Sequence, residues 1–458
     1  MRIVILGAGQ VGGTLAWNLV REDNDITLID LNETRLRELQ HRLDIKTVHG
    51  SASHPQVLIE AGIEQADMLI AVTDSDEVNM MGCQVAYSLF RTPTKIARIR
   101  SQYYADYPQL FANDHVPVDV RISPENLVTK HIENLIHYPG AAQVLEFGEG
   151  KVLLVTLKAD SSECMVGKTV QQLYEHLNSV EIKVVAIFRN RRAIELNEAS
   201  QITSADDVLF AASPKGVGEM LLTLGHHTHP NHRIMIAGGG HIGSKLAQAL
   251  DCEYRIKVID HNFAQASILA ASLNRGTVLQ GDIADRELLI NENIEFTDVF
   301  CAVTNDDEAN IMSCLQAKRL GARYAIALVN RNAYVELIED SVIDHAISPQ
   351  LITIGSILAK LRRGNMVKVS RLQNDDAEVI ELITHGDAFT SQVIGRQIAE
   401  IDLPPSSSIA AITRGEKVLM PRADLVLQSG DHIILVVLKK RYIHQIETLF
   451  QVSLSFMA

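Results

Sequence analysis

The sequence predicts an α/β protein in which a doubly wound parallel-sheet domain and a smaller α/β domain each occur twice. Three observations carry that expectation. The glycine-rich turn GAGQVG, starting at Gly7, directly follows the apolar run RIVIL and opens a helix-length segment. Short apolar runs then alternate with helix-length segments as far as Arg100, the pattern of a parallel sheet with helical crossovers. Finally, the unit recurs: Gly7 returns as Gly238 in GGGHIG, AVTDSDEVNM at Ala71 returns as AVTNDDEANI at Ala302, and Cys83 returns as Cys314, all displaced by 231 residues. A tandem duplication explains a shared displacement better than chance does.

In the first copy the expected strands are RIVIL at Arg2, DITLID at Asp25, IKTVHG at Ile45, DMLIAV at Asp67 and KIARIR at Lys95. Asn32 and Ser53 are the expected helix caps, and Leu36, Leu39 and Leu43 recur at helical spacing. The character changes after Pro139-Gly140. KVLLVTLKAD at Lys151, a helical QQLYEHL, VEIKVVAIFR and DDVLFAA suggest a small sheet with one or two helices. The later copy repeats that order around Val379 to Ile383, Ser408 to Thr413 and His432 to Val437, with Gly167-Lys168 answered by Gly395-Arg396. The expected domains are 1–124, 143–227, 232–348 and 368–453, with the halves joined near GHHTHPNHR. A length of 458 residues accommodates several units at about 150 residues each.

Composition excludes several classes of function. Lys and Arg number 42 against 56 Asp and Glu, a formal charge of -14, which argues against nonspecific nucleic-acid binding. The five cysteines form no CxxC pair, so neither a disulfide framework nor a zinc ribbon is indicated, and a reducing cytosol fits. The uncharged stretch Ile3 to Val20 superficially resembles an export signal or a short span. Its mid-chain counterpart from Ile234, with Lys245 inside it, argues against both.

Context strengthens the glycine motif, because Gly7, Gly9 and Gly12 lie between a strand and a helix and Asp30 ends the next strand. Gly7 allows the tight turn, Gly9 lets backbone approach a pyrophosphate, and Gly12 permits close helix packing. Asp30 can take both ribose hydroxyls and would repel a 2'-phosphate, which favours NAD(H). The second copy offers Gly238, Gly240, Gly243 and Asp260 in the same places. Arg98 and Arg100 project from one side of KIARIR, whereas Leu328 and Asn330 stand there in the second copy. Phosphate contact and surface ion pairs both suit the arginines.

Ser51-Ala52 after the third strand and Thr73-Asp74 after the fourth should border a ligand, as should Asp282, Thr304 and Asn305 in the second copy. For Ser51 and Asp282 helix capping is an equal alternative. Asp76-Glu77 and Asp307-Glu308 are expected as solvated helix starts. His226, His227, His229 and His232 are read as a hinge ahead of a metal site, and Trp17, Cys83 and Cys314 as packing residues. No Lys, His or Cys constellation repeats near the strand ends, so catalysis is not expected.

GAGQVG, Asp30, HGSAS, AVTDSDEVNM and KIARIR, doubled along the chain, resemble the KTN/RCK family that regulates potassium transport. The resemblance covers essentially the whole chain and implies Rossmann-like RCK N domains, each followed by an RCK C domain. It also implies binding of NAD(H) and of ATP or ADP, and assembly as a homo-oligomer, a tetramer. The implied partner is a potassium-translocating integral membrane subunit of a Trk system, of TrkH/TrkG type. The chain would then be peripheral on the cytoplasmic face of the inner membrane. Carried over by position, the nucleotide contacts fall on Gly7, Ala8, Gly9, Gln10, Val11, Asp30, Ser51, Thr73, Asp74 and Arg98. In the second copy they fall on Gly238, Gly239, Gly240, His241, Ile242, Asp260, Asp282 and Thr304. Gly239, His241, Leu328 and Asn330 depart from the first copy, so the two sites can differ in ligand. The alternative functions are an NAD-dependent oxidoreductase and a nucleotide or redox sensor acting on a soluble partner.

Overall fold

The computed structural model describes residues 1–21, 24–159, 164–177, 181–190, 192–194, 196–225, 232–338, 341–361, 366–372 and 377–452. The first copy runs β1 (Arg2–Leu6), α1 (Gln10–Val20), β2 (Asp25–Asp30), α2 (Glu33–Arg42), β3 (Lys46–His49), α3 (Pro55–Ala61), β4 (Met68–Ala71), α4 (Asp76–Phe90), β5 (Thr94–Arg98), α5 (Gln102–Ala105), β6 (Val120–Ile122) and α6 (Pro124–His137). Its strands pair in the order β3-β2-β1-β4-β5-β6, the doubly wound order that puts ligand sites beyond the carboxyl ends of β1 and β4. β1 and β4 are buried on both faces, which is why they read as continuous apolar runs. β6 carries too few apolar residues to stand out in the sequence.

A small domain follows, with β7 (Ala141–Phe147), β8 (Val152–Lys158), α7 (Val170–Leu177), β9 (Ile182–Arg189), β10 (Arg192–Ala193), β11 (Asp206–Ala212) and α8 (Pro214–Thr223). The second large sheet comprises β12 (Arg233–Ala237), α9 (His241–Leu250), β13 (Arg255–Asp260), α10 (Phe263–Ser272), β14 (Thr277–Gln280), α11 (Arg286–Asn291), β15 (Val299–Ala302), α12 (Asp307–Arg319), β16 (Tyr324–Leu328), α13 (Asn332–Ile338), β17 (His345–Ile347) and α14 (Pro349–Leu361). Its order, β14-β13-β12-β15-β16-β17, repeats the first. The chain ends with β18 (Met366–Arg371), β19 (Glu378–Ile383), β20 (Ser407–Arg414), β21 (Lys417–Leu419), β22 (His432–Val437) and α15 (Ile443–Phe450). Both small sheets are antiparallel.

By contacts the chain forms two compact units. One is Met1–Val128 with Val329–Val335 and Ile347–Ile357; the other is Thr129–Leu328 with Glu336–Ala346 and Leu358–Ala458. Within the second unit the two small sheets share an apolar face, where Phe147, Leu154, Val185 and Leu209 pack with Val379, Ala410, Ile434 and Val436. Each small domain also holds a bidentate ion pair between a half-buried arginine and a buried aspartate. Arg189 grips Asp206 at 2.7 and 2.8 Å, and Arg414 grips Asp431 at 2.7 and 2.7 Å. Fork-to-fork geometry satisfies two carboxylates that are almost wholly removed from water.

Some expectations need correction. Asn32 does cap α2 by accepting the Arg35 N–H at 3.1 Å, but Ser53 caps nothing. His54 occupies the N-cap of α3, and Ser53 Oγ lies 3.2 Å from Ser51 Oγ. Cys83 and Cys314 are buried, and burial pushes both thiols up to about 12, as packing residues require. Trp17 is not a core residue: it is 44% exposed, and the Arg21 guanidinium lies 3.8 Å from the ring centre. Of the histidine cluster, His226, His227 and His229 lie outside the described residues, and His232 is exposed.

Candidate functional site

The glycine turn is built by contacts that only glycine permits. Gly7 sits at φ +102°, its N–H donates to Ile29 O at 2.8 Å, and a Cβ there would meet the Thr73 backbone at 3.0 Å. A Cβ on Gly12 would fall 1.8 Å from Gly7 O, so α1 lies as close to β1 as backbone allows. Gly9 is different, because beyond its chain neighbours and its own helix no described atom lies within 4 Å of its Cβ position. It is the N-cap of α1 and, as a glycine, supplies no side-chain cap. By contrast Asn32 caps α2 and Ser75 caps α4. The free N–H groups of α1 and its positive end therefore face open space, where an anion would be favoured. Gly238 at φ +108°, Gly243 with its 1.8 Å approach to Gly238 O, and the uncapped Gly240 repeat the geometry. Gln10 and His241 are exposed, Val11 and Ile242 half-buried.

Asp30 at the end of β2 is more engaged than a waiting ribose ligand. Its carboxylate accepts the Ala8 N–H at 2.5 Å and the Asn32 N–H at 2.7 Å, tying the glycine turn to the start of α2. Asp260 does the same with the N–H groups of Gly239 and Asn262, at 2.6 and 2.7 Å. A carboxylate offers about four acceptor positions, so two remain on each aspartate. Ala8 is buried beside this contact, whereas Gly239 is crowded by Asp260 at 3.2 Å and Leu269 at 3.3 Å from its Cβ position. The second turn carries a further hydrogen bond, from Gln265 Nε2 to Gly239 O at 2.9 Å.

The ends of β4 and β5 are joined by a polar residue that apolar periodicity does not single out. Asn79 is fully buried; its Oδ1 accepts from Thr73 N at 3.0 Å and Thr73 Oγ1 at 2.7 Å, and its Nδ2 donates to Arg98 O at 2.9 Å. Asn310 makes the same set with Thr304 and Leu328 O. The signal was present: the asparagine is identical in AVTDSDEVNM and AVTNDDEANI. Asp74 and Asn305 are exposed beside these turns.

Asp76 and Asp307 are not solvated helix starts. Asp76 is 8% exposed and accepts from Arg100 N and Ser101 N at 2.8 to 3.0 Å, closing the loop after β5 over the start of α4; Asp307 is 5% exposed. Glu77 and Glu308 are exposed, as expected. Capping also fails as the reading of Ser51 and Asp282. His54 and Asp285 hold those N-caps, and Asp282 instead accepts from Ala284 N at 2.9 Å. Ala52 is buried near the turn after β3.

The two arginines separate. Arg100 is in an ion pair, its Nε 2.9 Å from Glu125 Oε1 on α6. Arg98 is half-buried and its Nε, cut off from water, has no hydrogen-bond partner among the described residues. Burial, and then the neighbouring charge of Arg100, holds its guanidinium below the ordinary range. Leu328, its counterpart, is simply buried. No group of three or more His, Cys, Asp or Glu among the described residues could hold a metal ion.

Fold and site together define a tandem Rossmann-like protein, each large domain opening on an uncapped glycine turn and each followed by a small antiparallel-sheet domain. The TrkA-N domain matches residues 3–118 and 234–349, and the TrkA-C domain matches 388–451. The Trk system potassium uptake protein TrkA of Halomonas elongata is 50% identical over 456 residues, and that of Vibrio alginolyticus 48% over 458, each with 100% of both chains covered. The solved GsuK channel bound to NAD shares the fold at a TM-score of 0.61 and 19% identity, covering 98% of this chain and 78% of that one. The chain belongs to the TrkA family of Trk system potassium uptake proteins.

Proposed function

We propose that this chain is the regulatory subunit of a potassium uptake system, binding NAD(H) in its first Rossmann-like domain and gating a separate potassium-translocating membrane subunit. The observation that carries the reading is the first glycine turn: an uncapped helix start beside an open Gly9, next to an aspartate with two acceptor positions to spare. That arrangement fits a pyrophosphate on the α1 N–H groups and ribose hydroxyls on Asp30. Relatives named as Trk potassium uptake proteins over their full length supply the transport role. Working domain limits are 1–124, 143–227, 232–348 and 368–453.

The same site takes ATP or ADP, with Arg98 as the phosphate contact. In the second domain Gly238 to Gly243, Asp260, Asp282, Thr304 and Asn305 form the corresponding site, without an arginine at Leu328. The nucleotide is a regulatory ligand: it binds one arrangement of the Rossmann-like domains better than another and shifts their equilibrium by that difference in affinity. No described helix is long and apolar enough to cross a membrane. Docking as a homo-tetramer on a membrane subunit, at the cytoplasmic face of the inner membrane, places the protein where it acts. A charge of -14 gives no attraction to anionic lipid, so protein contacts hold it there.

The test is potassium flux in vesicles carrying the membrane subunit, with and without this protein, as NADH, ATP and ADP are varied. Flux indifferent to the protein and to nucleotide would overturn the reading. NADH consumed with a carbonyl substrate, in a reaction abolished by changing Gly9, would revive the oxidoreductase alternative.

Two substitutions probe the ligand contacts. Asp30→Ala is expected to weaken NADH binding by about 1 to 3 kcal/mol, the scale of hydrogen bonds to a charged acceptor. Because Asp30 also ties Ala8 to Asn32, calorimetric titration is paired with a melting curve, and unchanged affinity in a folded variant removes Asp30 from the site. Arg98→Leu installs the second copy's residue. It is expected to lower ATP affinity roughly tenfold or more while leaving thermal stability level or higher, because a buried nitrogen without a partner is removed. Retained ATP affinity would reassign Arg98 to packing.

A further inference from the structure

The first compact unit includes a segment drawn from the second copy, Ile347–Ile357, which carries the start of α14. Within that unit Gln350 Nε2 donates to Gln10 O at 2.8 Å and to Thr14 Oγ1 at 2.7 Å. Both acceptors lie on the first turns of α1, immediately beside Gly9. The N-cap residue of that helix, Gly9, supplies no side-chain cap. α14 itself is one continuous helix, and from Leu358 onward its residues cluster with the second unit.

The corresponding position in the first copy is Glu125, following Pro124 as Gln350 follows Pro349. Its carboxylate is taken by Arg100, and it has no N–H to give to a helix carbonyl. The contact is therefore a property of Gln350 and not of the repeat.

We propose that Gln350 is a positioning residue that couples nucleotide binding at the first glycine turn to α14. The inference rests on the reading of that turn as a nucleotide site. The first turn of α1 is packed against β1 but its N–H groups have no side-chain cap from Gly9, and either of two contacts can order it further: an anionic ligand on those N–H groups, or the Gln350 amide on the Gln10 carbonyl. A turn already ordered by one makes the other less costly to form, so the two contacts favour each other. The coupling acts equally in both directions. Nucleotide tightens the start of α14, and an intact Gln350 tightens the nucleotide.

The experiment uses the full chain as wild type, Gln350→Ala and Gln350→Glu, the last placing a carboxylate against the Gln10 carbonyl. Amide hydrogen exchange is followed across Pro349–Leu361 with and without saturating NADH. NADH affinity is read from energy transfer out of Trp17, the sole tryptophan, which lies on α1. In wild type, NADH is expected to slow exchange at the start of α14 roughly two- to tenfold, the scale of one or two hydrogen bonds. Both variants should lose that slowing and bind NADH more weakly by a similar factor, with unchanged circular dichroism. A merely structural role would lower stability without making α14 indifferent to nucleotide. NADH binding that still slows α14 exchange in Gln350→Ala, or wild-type affinity in that variant, overturns this inference alone. No NADH binding to wild type overturns it together with the nucleotide reading.

Discussion

Gly12→Ala is expected to destabilise the first Rossmann-like domain by at least about 3 kcal/mol, because the added methyl lands on backbone that cannot yield. Its carbon would sit 1.8 Å from Gly7 O and 3.0 Å from Gly7 C. Gly7 is itself pinned, donating to Ile29 O and backed by the Thr73 backbone. Relief therefore requires α1 to lift away from β1, opening the contacts of Leu15, Ala16 and Leu19, all buried. Gly9→Ala is the control. Its Cβ position is open and its φ of −65° suits any residue, so stability should fall by less than about 1 kcal/mol. The same methyl would stand where a pyrophosphate must approach, and NADH binding should be lost. Scanning calorimetry and NADH titration on both variants separate the roles; equal destabilisation would show that the two glycines had been given the wrong ones.

The second large effect is expected at Asn79. Asn79→Ala should cost about 2 to 4 kcal/mol, since it strands the Thr73 N–H and the Arg98 carbonyl away from water at once. Asn79→Asp should be no better: it keeps an acceptor for Thr73 but loses the donor and buries a charge against two carbonyls. Nucleotide affinity should fall with stability, because this side chain holds the ends of β4 and β5 in register beside the glycine turn. A loss below about 1 kcal/mol in thermal melting would mean that the strand pairing alone sets those ends. Asn310 supplies an internal replicate with the same partners at Thr304 and Leu328.

Asn79 and Asp76 also show where sequence reasoning stops. Apolar periodicity locates a core but is silent about a polar side chain placed inside it, so it does not single out Asn79 although both copies carry the residue. Asp76 was legible as a helix-start acid, and that much is correct. What buries it is the loop after β5, which brings the N–H groups of Arg100 and Ser101 onto its carboxylate from 24 and 25 residues away. Arg98 and Arg100 looked equivalent by spacing. Glu125 on α6 makes them different, taking Arg100 into an ion pair and leaving Arg98 Nε without a partner among the described residues.

Local patterns along the chain specify the alternation of buried strands and helices, the two glycine turns with their aspartates, and the duplication of one half by the other. Those features depend on neighbours along the chain: a turn needs glycine where φ is positive, and a buried strand needs an unbroken apolar run. Folding in three dimensions is what makes Asp30 and Asp260 tie their own glycine turns, closes Arg189 and Arg414 on Asp206 and Asp431, and gives the small sheets one shared apolar face. It also brought Gln350 to Gln10 across 340 residues of chain. No local pattern encodes such pairings, because a hydrogen bond or a packed face depends on which groups folding leaves together once water is excluded, not on how far apart they stand in the sequence.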